Sequence, residues 1–159
     1  MSGASKLLVP ESIWQSTLNL FEPYAAAGLE AGCLWYGLRQ DNNAIAMMIG
    51  IPKQENHPRY FDIDADSLAE LTESAIALNL VAVAQVHIHP GKDVEHSPWD
   101  NQMIVSKRVH SLVLPYYGRR PCNILNIGVH RFESGGWQML SSFDAEKALQ
   151  IIPSLTDTR

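Results

Sequence analysis

Cysteine is scarce in this chain of 159 residues: Cys33 and Cys122 are the only two, and they stand far apart. That spacing excludes a disulfide framework and a CxxC metal site, and both are expected to be buried free thiols. Long apolar runs are missing as well. No stretch approaches the roughly 20 apolar residues of a membrane-spanning helix, and residues 1–10 lack the apolar core of a secretion signal. Cytoplasmic residence is the simplest expectation. Basic charge is in short supply, with 12 Lys and Arg against 17 Asp and Glu and a formal net charge of −5. This balance argues against broad affinity for nucleic acid or anionic membrane. The pairs Lys107-Arg108 and Arg119-Arg120 read as solvated surface. Trp14, Trp35, Trp99 and Trp137 are scattered over different segments, which fits packing better than a base-stacking platform. There is no internal repeat and no long linker.

What is present suits one folded domain over residues 1–159 with flexible ends, since 46% of the residues are hydrophobic and only 18% charged. Residues 11–22 have the apolar spacing of a helix that Pro23 interrupts. Residues 33–39 and 44–51 read as paired strands around the turn Asp41-Asn42-Asn43. A short strand at 60–63 precedes a helix over 67–78. Helical residues 98–108, strands over 111–114, 123–131 and 137–140, and a helical tail over 144–151 complete the pattern.

The chemistry concentrates after the run Leu80-Val81-Ala82-Val83-Ala84-Gln85-Val86, which is apolar enough for a strand buried on both faces. It leads into His87-Ile88-His89-Pro90. Two histidines one residue apart on an extended segment share a face. Ser97-Pro98-Trp99-Asp100 follows after a turn-rich loop, at the start of a helix. Two imidazoles and one carboxylate suit zinc, and three protein ligands leave the fourth tetrahedral position open, as in catalytic sites. Hydrolysis is the natural reaction class.

Plainer readings exist for each part. Paired histidines at a strand end can simply meet solvent, and Ser97 to Asp100 fits a capping box with Pro98 at the first helical position. Capping and ligation are nevertheless compatible, and HxH, seven residues, then SxxD is a long pattern for local structure alone. A general base must also reach the metal site. Glu30, Glu55, Asp93 and Glu95 are the candidates, and composition does not choose among them. His57, His96, His110 and His130 fall outside the ligand set, although His96 adjoins Ser97 and can line the site.

These residues resemble the JAMM metalloprotease signature, also called MPN+ or JAB: an upstream Glu followed by HxHx7SxxD. The seven residues 90–96 separate His89 from Ser97. Upstream, Glu30-Ala31-Gly32-Cys33-Leu34-Trp35-Tyr36-Gly37 is similar to the family's E-x-G-G-x-L-x-G segment, with Cys33 in place of the second glycine. The resemblance extends to about Ser141 and is greatest to the small stand-alone bacterial branch. It implies an α/β fold of the cytidine-deaminase-like JAB/MPN type, a mixed central sheet flanked by helices.

It further implies one zinc ion per chain, held by His87, His89 and Asp100. Glu30 then activates the water, and Ser97 helps hold the tetrahedral intermediate. The implied activity is cleavage of a peptide or isopeptide bond after the C-terminus of ubiquitin or a ubiquitin-like protein. In that branch such proteins accompany enzymes resembling ubiquitin-activating proteins, which implies an associated activating or conjugating enzyme as partner. The span between Asp100 and Ser111 has no room for the large insertion that confers linkage-specific ubiquitin recognition. Two other readings remain: a noncatalytic scaffold binding a ubiquitin-like partner, and a zinc nucleobase deaminase. The deaminase pattern H-x-E…P-C-x-x-C is not met, because Pro121-Cys122 continues as Asn123-Ile124-Leu125.

Overall fold

A strand with apolar residues at nearly every position needs cover on both faces, and the two strands at the middle of the sheet have this composition. They are β2 (Gly32–Gln40) and β6 (Val81–Ile88). In the computed structural model, which describes residues 6–154, they pair antiparallel at the centre of an eight-stranded sheet. The ends of the chain, expected to be flexible, lie outside the described residues.

On one side of this pair come β3 (Asn43–Gly50), β1 (Lys6–Pro10) and β10 (Leu149–Ile152), and on the other β7 (His110–Leu114), β8 (Gly128–Glu133) and β9 (Gly136–Met139). The order is β10-β1-β3-β2-β6-β7-β8-β9. Strand β1 runs parallel to both β10 and β3, and β6 runs parallel to β7, whereas the remaining pairs are antiparallel. The sheet is therefore mixed, as expected.

Helix α1 (Glu11–Ala27) covers one face, where Phe21 joins Trp35, Ala84, Val86 and Leu112 in the main core and Ala25 is buried as well. Thr17 on this helix is buried and accepts the Trp35 indole N–H at 2.9 Å, so the largest core side chain leaves no donor unpaired. The helix passes through Pro23 and ends at Ala27, where Gly28 takes a left-handed conformation (φ 68°) and donates to Ala25 at 3.1 Å. Helix α2 (Ala65–Ala77) covers the opposite face over Leu34 and Tyr36. Two shorter helices, α3 (Pro98–Met103) and α4 (Ser142–Ala148), complete the layers. Among the described residues no helix is long and apolar enough to cross a membrane.

Two features position the site. A register shift at Tyr36/Gly37 brings the β3 backbone so close that a Cβ on Gly37 would stand 1.7 Å from the Ile45 carbonyl oxygen. Glycine is required there by that approach. A separate hairpin of β4 (Gln54–Asn56) and β5 (Phe61–Ile63) stands beside the start of β2.

Candidate metal centre

The strand register gathers the candidate residues. Gly32 is the Cα partner of His87 across the β2–β6 pair, so two further antiparallel steps bring Glu30 beside His89. The Ile88 amide donating to the Ala31 carbonyl at 3.1 Å shows that the pairing continues past the end of β2. His87 and His89 share a face, as period two predicts, with their Nε2 atoms 3.2 Å apart. Asp100 arrives from α3. Its Oδ1 lies 3.5 Å from His87 Nε2 and its Oδ2 lies 3.3 Å from His89 Nε2. His87 and Asp100 are buried, and one ligand atom from each of the three residues lies within 4.8 Å of the others.

Those spacings test whether a metal fits. Atoms bound to one tetrahedral zinc at about 2.0–2.2 Å stand roughly 3.3–3.6 Å from one another; the two histidine nitrogens are 3.2 Å apart, and the carboxylate faces each of them through a different oxygen, Oδ1 at 3.5 Å from His87 and Oδ2 at 3.3 Å from His89. His89 Nδ1 donates to the Asp93 carbonyl at 2.9 Å, which leaves the lone pair of the neutral ring on Nε2, facing the cluster. Two imidazole nitrogens and a carboxylate crowded together with that polarity make a group that could hold a metal ion. The donor set fits zinc.

The helix-cap reading holds simultaneously. Ser97 caps α3, its Oγ accepting the Asp100 amide at 3.1 Å while its own amide donates to Asp100 Oδ2 at 2.7 Å. The capping box thus aims the carboxylate at the histidines. Ser97 itself is exposed, and its hydroxyl hydrogen is not consumed by the cap.

Charge is distributed unevenly over these groups. Burial opposes ionisation of Asp100, but the His87 and His89 rings and the Ser97 amide outweigh it and hold its carboxyl well below the usual carboxylate range. Burial also opposes protonation of His89, yet Asp100, the Asp93 carbonyl and Glu30 raise its pKa. Burial lowers that of His87. Glu30, only 5% exposed, is pushed up to about 7 by burial, with the His89 charge acting against this and Asp100 reinforcing it.

A pH dependence follows from the opposite shifts of the two histidines. A proton on His89 must leave before its Nε2 can bind a cation, whereas buried His87 is already neutral. Metal affinity is expected to fall about tenfold per unit as pH drops through the His89 value, which is raised from that of an ordinary histidine. Competition with a chelator across that window should show one proton per ion. A flat profile would remove His89 from the ligand set.

The other candidate bases stand apart. Glu55, Asp93 and Glu95 are exposed, and Asp93 serves through its backbone carbonyl, a role no side-chain pattern signals. His96 does line the region. Its ring is 6.0 Å from that of His87, stacked on His130 at 3.7 Å, and its nitrogens meet Asn101 at 2.9 Å and Ser111 at 2.7 Å. His57, expected to be peripheral, contributes its carbonyl to the Glu30 amide at 2.9 Å. Gln54 and Asn56, unnoticed in the sequence, bond the backbone of residues 30–32. Cys122 packs against the main core and is absent from the metal-ligand cluster.

Comparison with known proteins agrees with this geometry. Over 123 residues the chain is 29% identical to a protein of Sinorhizobium fredii named as a probable metalloprotease, covering 72% of this chain and 75% of that relative. The chain resembles a probable metalloprotease. No protein-family model matches it. Its fold is similar to the solution structure of a Desulfitobacterium hafniense protein, with a TM-score of 0.73 at 13% identity over 94% of each chain. That likeness concerns the fold alone, and it supports a mixed α/β arrangement with flanking helices.

Proposed function

We propose that the protein is a zinc-dependent peptidase or isopeptidase of the JAMM/MPN+ type, with the JAB variant of the cytidine-deaminase-like fold. Its proposed substrate is a peptide or isopeptide bond after the C-terminus of a ubiquitin-like protein. The observation carrying this reading is the convergence of His87, His89 and Asp100, whose ligand atoms all lie within 4.8 Å of one another, with the buried Glu30 carboxyl feeling the charges of His89 and Asp100. Similarity to a probable metalloprotease supports the hydrolytic class.

His87, His89 and Asp100 hold the ion. When bound, zinc would supply Lewis acidity that polarises a carbonyl and lowers the pKa of a water to about 7. Glu30 takes the proton of the attacking water on its carboxylate and passes it to the leaving amine nitrogen, a role suited to a carboxyl titrating near neutrality. Ser97 donates its free hydroxyl hydrogen to the developing oxyanion, worth about 10²–10³ in rate for a well-placed donor. An enzyme resembling a ubiquitin-activating protein, and residence in the cytoplasm, complete the proposal.

Metal analysis combined with mass spectrometry of products from a panel of ubiquitin-like fusions and conjugates tests it. One zinc per chain and a single cut after the modifier's C-terminus are expected. Tight binding of the modifier without cleavage by zinc-loaded protein would replace the enzyme with a scaffold. Release of ammonia from a nucleobase would overturn the proteolytic assignment.

A further inference from the structure

Strand β3 pairs with β2 only from Leu34 onward, where its partner is Gly50, the last residue of β3. Residues 30–32 therefore extend beyond that ladder on the β3 side. Backbone polar groups buried there need partners, and the β4–β5 hairpin provides them through side chains. Gln54 Oε1 accepts the Gly32 amide at 2.9 Å, and Gln54 Nε2 donates to the Gly32 carbonyl at 2.9 Å. One side-chain amide thus makes both bonds that a residue of a neighbouring strand would make. Asn56 Nδ2 donates to the Glu30 carbonyl at 3.0 Å and to Gln54 Oε1 at 3.0 Å, joining the two amides. The Glu30 amide in turn donates to the His57 carbonyl.

The hairpin also fits closely. A Cβ on Gly32 would stand 2.5 Å from the Phe61 ring, and that ring lies 5.7 Å from the ring of His87. Both peptide groups of Glu30 are consequently fixed from one element, while β6 holds Ala31 from the other side at 3.1 Å.

We propose that Gln54, linked to Asn56, is a positioning residue that acts as a surrogate strand partner for residues 30–32 and fixes the direction of the Glu30 carboxylate toward His89 and Asp100. This rests on Glu30 being the base of the reaction proposed above. Gln54 bonds only backbone and Asn56, so it works through Glu30 and touches no reacting group. A glutamate at 54 keeps the acceptor but loses the donor, and a methionine keeps the length and loses both.

Gln54→Met is expected to lower kcat about 10–100-fold, the scale of an ångström-sized misplacement, with KM and zinc content unchanged. In a Glu30→Gln background the same substitution should alter the residual rate less than about twofold, because the two residues act in series. An equal loss in both backgrounds would overturn the inference, since that marks general structural damage. Retention of full kcat by Gln54→Met would also overturn it. Three-bond couplings reporting Glu30 χ1 supply a readout independent of turnover: one rotamer in the parent, averaging in the variant. Equal couplings in both would sink the positioning role even if the protein proved to hydrolyse nothing. That silence would separately refute the reaction. Gln54→Glu replaces Gln54→Met in every comparison if the latter does not fold.

Discussion

Glu30→Gln is expected to reduce kcat by about 10²–10⁴, the usual contribution of a positioned general base, while the protein still binds one zinc per chain. Glutamine keeps the shape of the buried side chain and removes its ability to take a proton, and the metal cluster contains other residues. The stability of the metal-free protein should move the other way. Because burial raises the Glu30 pKa to about 7, its ionised form is disfavoured in the fold. Parent and variant should match below the ordinary carboxyl range. The variant should gain an advantage as pH rises toward 7 and keep it above. Thermal melts at several pH values, run beside zinc titrations and rate measurements, check all three points. Wild-type turnover by Glu30→Gln would remove Glu30 as the base.

Substitution of Asp100 separates its two roles. Asp100→Asn retains an oxygen that can accept the Ser97 amide, now bonded at 2.7 Å, so the cap of α3 should persist, while the metal-free protein loses the stabilisation that the His87 and His89 rings give the ionised carboxyl. Metal affinity should still fall more than about 100-fold, beyond the 10–100-fold typical of partners outside the ligand set, because a neutral amide replaces the anionic ligand. Asp100→Ala should lose both, with an additional destabilisation of about 1 kcal/mol from the cap. Metal binding by isothermal titration and unfolding by denaturant distinguish the variants. Parent-like affinity in Asp100→Asn would exclude the carboxylate as a ligand.

The centre of the fold was legible because its signals are local. The near-continuous apolar run over 80–86 marked the buried strand, the period-two spacing of His87 and His89 gave their shared face, and the capping residues gave the start of α3. Elsewhere, tertiary partners decided the outcome. Residues 6–10 form β1 only because β3 and β10 flank them, and the expected helical tail over 144–151 yields to β10 at Leu149 for the same reason. The helix expected to run to 108 stops at Met103. There the Gln85 side chain donates to the Met103 carbonyl and accepts the Val105 amide, both at 3.0 Å, in place of helical bonds. Residues 123–127 turn instead of extending, since Asn123 and Asn126 bond nearby backbone. The candidate site followed the same division. Its ligand spacing lay in the sequence, whereas the Gln54 and Asn56 bonds join residues more than 20 positions away and leave no periodic trace.

One carboxylate fastens the first turn of α3 and also faces the histidine pair. Linkage makes this reciprocal: whatever steadies that turn raises the grip on a cation, and a cation steadies the turn by the same free energy. Trp99 lies in this turn, partly exposed, with its indole N–H bonded to the Phe61 carbonyl at 3.1 Å and its ring 5.7 Å from Tyr60. A molecule that lodges against Trp99 and Tyr60 would therefore be sensed at the ion without touching it.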